Sequence, residues 1–257
     1  MRIGITFSGG GARGIAHIGI LKALIEVGIK PDIISGSSAG AIIGALYAYG
    51  YSPEEMFKIV QDTKLFRILR PAFTWTGLLT LEKTYDFFKS FIPTDSFKSL
   101  KIPLYICATD VKKGQSTFFS SGSLIRSVMA SSAIPVIFAP VEINEKFYID
   151  GGITNNLPVE PLVGNCDKII GLHCNPVNKE YDAENMKDLL ERTFIITINH
   201  NVESRKKICD LFLEPYELRN YRALDFAKAK EIYEIGYAFA LDNESSIRAI
   251  IENADLD

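Results

Sequence analysis

The sequence predicts a three-layer α/β sandwich built on a mostly parallel central sheet. Strand-like and helix-like segments alternate through the first half of the chain. The first strand–helix–strand passage fits within roughly 35 residues, the span of a right-handed βαβ unit. No internal repeat, low-complexity tract or Pro/Gly/Ser linker interrupts the 257 residues, and 47% of them are apolar, enough for a sizeable core. A single domain over residues 1–257 is expected.

The elements follow in order. Residues 2–7 read as a β-branched strand and 14–27 as an amphipathic helix ending at Gly28. Asp32 to Ser35 forms a second strand, and a helix runs from about Ser38 to Tyr49. Residues 53–101 break the rhythm with two or three short helical pieces and many aromatics, among them Phe57, Phe66, Phe73, Trp75, Phe87, Phe88, Phe91 and Phe97. They read as a cap or insertion. Strands are expected at 103–109 and 115–119, a helix at about 122–131, and strands near 136–143 and 146–149. Buried strands at 168–172 and 209–213 and helices near 184–199 and 225–251 complete the chain.

Composition removes several function classes. With 28 basic and 31 acidic residues the formal charge is -3, so no broad field favours nucleic acid as a partner. The four cysteines form no Cys-x-x-Cys pair, and reduced thiols are the plainer reading than a disulfide framework or zinc site. The chain opens Met1-Arg2-Ile3-Gly4-Ile5-Thr6-Phe7, which lacks the shape of a secretory signal, so a cytoplasmic location is expected, with brief membrane-surface contact allowed. Ile33 to Pro53 carries no charge over 21 residues, but its serines and glycines mark a buried strand–turn–helix rather than a bilayer span.

Three motifs carry chemistry. Gly36-Ser37-Ser38-Ala39-Gly40 sits between strand-like Asp32-Ile33-Ile34-Ser35 and helix-like Ala41-Ile42-Ile43-Gly44-Ala45-Leu46. That context suits a nucleophile elbow, where a sharp turn lifts the serine clear of the backbone and the next helix aims its positive end at it. A βα turn without chemistry would look the same. Ser8-Gly9-Gly10-Gly11-Ala12-Arg13-Gly14, between the first strand and helix, can turn backbone amides toward a ligand oxygen. Two such amides would stabilise an oxyanion by about 3 kcal/mol each. The same residues match the dinucleotide fingerprint, yet Asp32 opens the second strand where that fingerprint wants an acidic residue closing it. No Gly-Lys-Ser/Thr exists, which excludes a Walker loop.

The third motif is Tyr148-Ile149-Asp150-Gly151-Gly152, an acid where a strand meets two glycines. The chain has three histidines to serve as base, His17, His173 and His200, each readable as a packing or surface residue. Ser38, Asp150 and His173 do run in the order of an α/β-hydrolase triad. Without a histidine, Asp150 must take the serine proton itself, which demands a desolvated carboxyl because one near pKa 4 is a poor base.

Together these segments resemble the patatin-like phospholipase family. Gly9-Gly10-Gly11-Ala12-Arg13-Gly14 resembles its oxyanion motif, Gly36-Ser37-Ser38-Ala39-Gly40 its elbow, and Asp150-Gly151-Gly152 its Asp-Gly-Gly/Ala motif. Ala130-Ser131-Ser132-Ala133-Ile134-Pro135 and Asn155-Asn156-Leu157-Pro158-Val159 fit as well, and the likeness covers about 1–50 and 103–175. The resemblance implies a Ser38–Asp150 dyad, an oxyanion hole from Gly10, Gly11 and Ala12, and calcium-independent hydrolysis of lipid acyl esters of phospholipase A or lysophospholipase type. No cofactor or metal is expected, and no Asp-rich calcium loop is present.

Lesser candidates remain open. Arg13 and Arg126 can each hold a substrate phosphate or a structural contact. Lys64, Arg67 and Arg70 lie among Leu65, Phe66, Ile68 and Leu69 and read either as a headgroup-facing stripe or as a solvated helix face.

Overall fold

The computed structural model describes residues 1–62, 81–135, 137–181 and 184–252. Its strands are β1 (Ile3–Phe7), β2 (Ile33–Ser37), β3 (Leu104–Asp110), β4 (Gln115–Phe119), β5 (Val141–Ile143), β6 (Lys146–Asp150), β7 (Lys168–Leu172) and β8 (Leu211–Leu213). Its helices are α1 (Ala16–Glu26), α2 (Ala39–Tyr49), α3 (Pro53–Asp62), α4 (Leu81–Phe91), α5 (Leu124–Ser131), α6 (Met186–Lys206), α7 (Ala229–Asp242) and α8 (Glu244–Glu252).

The eight strands form one sheet in the order β5-β6-β3-β2-β1-β7-β8, with β4 also paired to β3. β3, β2, β1, β7 and β8 are mutually parallel, while β4 and β6 pair antiparallel with β3, and β5 pairs antiparallel with β6. The parallel strands are apolar on both faces because helices cover both. On one face Ile5, Phe7, Ile34, Ile106 and Ile170 pack with Ile18, Leu21, Ala45, Val128 and Ile232 from α1, α2, α5 and α7. On the other, Ile33 and Ile169 meet Leu157, Val159, Leu162 and Val202 of α6. Each fully buried Ile or Phe contributes roughly 1.5–3 kcal/mol. Gly19 and Gly236 let α1 and α7 touch backbone to backbone, since a Cβ at either would meet the other helix's carbonyl.

One detail of register fixes the site. β4 occupies one edge of β3, so β2 and β6 must share the other: Ser37 pairs with Cys107, and Asp150 pairs with the next residue, Ala108. β2 leaves the sheet at that point and turns into α2. The end of β6 takes its place, so position 38 and position 150 abut.

Two expectations need correction. The strand foreseen near 136–143 begins only at Val141; Ile137 and Phe138 donate back to the Ile134 carbonyl at 3.2 and 2.9 Å, a turn bracketed by Pro135 and Pro140. The helix foreseen at 225–251 is broken at Asn243, whose amide caps α7 before α8 starts. In the 53–101 stretch Met56, Phe88, Ile92 and Phe97 join the main core, and Phe57 stacks on Tyr233. Phe66, Phe73, Trp75, Lys64, Arg67 and Arg70 lie outside the described residues. Among those described, no helix is long and apolar enough to cross a membrane.

Candidate active site

Ser38 stands between β2 and α2 with φ 52° and ψ −121°, a conformation that costs a non-glycine residue about 1–3 kcal/mol. Small neighbours permit the turn. A Cβ on Gly36 would lie 2.5 Å from the Gly40 carbonyl, and one on Gly40 would strike the Phe7 carbonyl. The turn is also bonded in place: the Ser38 amide donates to Ser131 Oγ at 2.8 Å, and Ser131 Oγ donates to the Cys107 carbonyl at 2.6 Å. The start of α2 directs its positive end at the serine.

Ser38 Oγ donates to Asp150 Oδ2 at 2.6 Å. The second carboxylate oxygen, Oδ1, accepts from the Gly152 amide at 2.8 Å. Asp150 is 1% exposed, and burial pushes its pKa from 3.8 up to about 6, against the opposing pull of the Ser38 and Gly152 hydrogen bonds. Gly151 fits because a side chain there would collide with the Cys107 carbonyl.

The glycine loop lies against this pair. A Cβ on Gly9 would come within 2.8 Å of the Ser38 Cβ, and one on Gly14 within 2.7 Å of the Ala39 Cβ. Gly9 is clamped from both sides: its amide donates to Asn156 Oδ1 at 3.1 Å, and its carbonyl accepts from Asn175 Nδ2 at 2.6 Å. Gly11 has φ 58° with the Ala223 carbonyl where a Cβ would go, so glycine is required there. The Gly10 and Gly11 amides donate to no acceptor among the described residues. Ala12 departs from the expected trio of oxyanion donors, because its amide is already taken by the Ala223 carbonyl at 2.8 Å. Arg13 is buried, with Nε donating to the Tyr221 carbonyl at 2.6 Å; Arg126 is a surface contact to the Glu142 carbonyl.

None of the three histidines meets the pair. His173 Nδ1 bonds Glu214 at 2.6 Å and its ring stacks on Phe212. His17 is buried against Phe7 and the Ser8 carbonyl, and burial pushes its pKa down to about 3. His200 lies within α6. Asp32, the acid a dinucleotide site would need, instead accepts from the Ile3 amide at 2.7 Å.

Sequence reasoning missed the bracing residues. Asn201 of α6 accepts from the Asn156 amide at 2.8 Å and donates to the Gly152 carbonyl at 2.9 Å, tying the aspartate turn to the residue that holds Gly9. An Asn on the buried face of a helix was the available sign. Ser131 was visible only within a motif. A cavity of about 140 Å³ opens from Ser38, walled by Ile42, Ile43, Leu46, Phe87, Phe91 and Met129. Among the described residues no cluster of His, Cys, Asp or Glu could hold a metal ion. All four cysteines are free thiols.

The fold and site define a mostly parallel α/β protein carrying a serine–carboxylate pair on a strained strand-to-helix turn. The chain belongs to the patatin-like phospholipase family, whose model matches residues 5–163. It is 36% identical over 177 residues to an uncharacterized NTE family protein of Mycobacterium tuberculosis, covering 68% of this chain and 49% of that one. It is 30% identical over 275 residues to the lysophospholipase NTE1 of Kluyveromyces lactis, covering 93% of this chain and 19% of that one. The chain thus spans about half of the first relative and about a fifth of the second. The crystal structure of VipD from Legionella pneumophila shares the fold at a TM-score of 0.55 with 14% identity, over 95% of this chain and 66% of that one.

Proposed function

We propose that the protein hydrolyses acyl esters of lipids through Ser38 and Asp150, by way of a covalent acyl-enzyme. The observation that carries this reading is the 2.6 Å hydrogen bond from Ser38 Oγ to a buried carboxylate. Asp150 takes the hydroxyl proton as Ser38 attacks the ester carbonyl, then returns it to the departing alcohol oxygen. Water, deprotonated by the same carboxylate, releases the fatty acid and frees Ser38. A carboxyl raised to about 6 is a far better base than an ordinary one and is still ionised at neutral pH.

The amides of Gly10 and Gly11 are the donors we assign to the developing oxyanion, worth about 3 kcal/mol apiece. The apolar walls of the Ser38 cavity support a long acyl chain as the group transferred. The lysophospholipase name of the yeast relative supports a phospholipid or lysophospholipid as its carrier. The substrate requires brief contact with a lipid surface, and the four free thiols accord with a reducing, cytoplasmic setting.

The test compares fatty-acid release from lysophosphatidylcholine by the native protein and by Ser38→Ala. Release should fall to background in the variant; retained release would remove Ser38 from the reaction.

A further inference from the structure

A second cavity, of about 220 Å³, shares no lining residue with the acyl groove. Arg13, Arg192, Arg219 and Arg222 all line it, with Tyr181 and Glu191. Arg13 is only 6% exposed, yet its Nη1 has no hydrogen-bond partner among the described residues. A buried guanidinium with an idle N–H is costly unless something else visits it.

Glu191 and Asp225 act on Arg13 through their charge, yet neither accepts a hydrogen bond from its Nη1. Glu191 Oε1 accepts from the Ala223 amide at 2.9 Å, and Asp225 Oδ2 from the Arg222 amide at 2.7 Å. Among the described residues Arg222 alone of the four has a carboxylate partner, Asp188, at 3.2 Å. Arg192 is aligned by the Asn178 carbonyl at 2.8 Å and the Tyr181 ring, and Arg219 by the Tyr216 carbonyl and ring. Both are held by neutral groups. Burial lowers the Arg13 pKa, against the opposing pull of Cys174, Glu191 and Asp225.

We propose that this cavity binds a phosphate group, carried either by a soluble phosphate compound or by the headgroup of an anionic lipid. Guanidinium forks match phosphate oxygens in pairs, and several converging on one cavity give both charge and geometry. The site stands next to the glycine loop, because Tyr221, which lines the cavity, holds Arg13 Nε through its carbonyl, and Arg13 directly follows Ala12. It does not depend on the hydrolase reading.

The test uses the Ser38→Ala protein, so that no lipid is consumed. Inorganic phosphate is titrated calorimetrically, and flotation is measured with phosphatidylcholine vesicles with and without phosphatidic acid. Binding should appear in at least one arm and weaken at least tenfold in Arg192→Gln/Arg219→Gln. The same double variant, with Ser38 intact, should keep native turnover of a short soluble ester, showing that the fold survives. Binding of free phosphate assigns a soluble ligand; binding only to phosphatidic acid vesicles assigns a headgroup. No binding in either arm, or binding untouched by the double variant, overturns the proposal.

Discussion

Ser131 holds Ser38 by the backbone: its Oγ accepts the Ser38 amide at 2.8 Å while donating to the Cys107 carbonyl on β3. The strained turn is therefore anchored to the sheet by one hydroxyl from a third element, α5. Ser131→Ala should leave a buried amide unmatched, costing about 1–3 kcal/mol. Thermal unfolding should show that loss, and kcat should fall further than it does for a surface serine such as Ser90 replaced in the same way. Unchanged kcat would mean that the strain is held elsewhere.

Asp150 gives two opposite pH dependences. Activity needs the ionised base, so kcat/KM should climb through about pH 6 and level off above it. Stability runs the other way. Because the folded pKa is raised, the protonated form is favoured in the native state; that stabilisation is complete below about 4 and is lost as pH rises through 6. Asp150→Asn should be inactive yet more stable than the native protein at pH 8, by up to about 3 kcal/mol, with the gap closing toward pH 4. Denaturant titration at both pH values measures it.

His173 is bonded to Glu214 and does not touch Ser38 or Asp150. His173→Ala should lower kcat by less than about tenfold and keep the pH–rate profile, where loss of a triad histidine would cost about 10⁶. Steady-state kinetics on one soluble ester separates the two.

Ile42 stands one helical turn beyond Ser38 and walls the apolar cavity. Ile42→Trp should shorten the acyl chain accepted. Hydrolysis of palmitoyl esters should drop by about tenfold or more relative to butyryl esters, as expected when a pocket loses several methylene sites. Equal loss at both lengths would place the acyl chain elsewhere.

The parts of this molecule legible in the sequence are those written contiguously. β1, the glycine loop and the elbow each carry their own turn chemistry, so local reading finds them. The meeting of Ser38 with Asp150 is different: it depends on β2 and β6 sharing one edge of β3, a consequence of where β4 pairs. Asn156, Asn175 and Asn201 brace the loop across 45 to 166 residues of chain; Asn156 lies in a recognisable segment, but no local pattern announces Asn175 or Asn201. Ala12 looked like an oxyanion donor by position in its motif; only the approach of Ala223 reveals that its amide is engaged. The apolar residues before Val141 look strand-like in sequence, yet Ile137 and Phe138 bond back to the Ile134 carbonyl in a turn.

The most direct measurement is peptide mapping after reaction with a fluorophosphonate probe. A single adduct on Ser38 is predicted, formed far more slowly in Asp150→Asn and absent in Ser38→Ala. Labelling at another residue, or undiminished labelling in Ser38→Ala, would contradict the account.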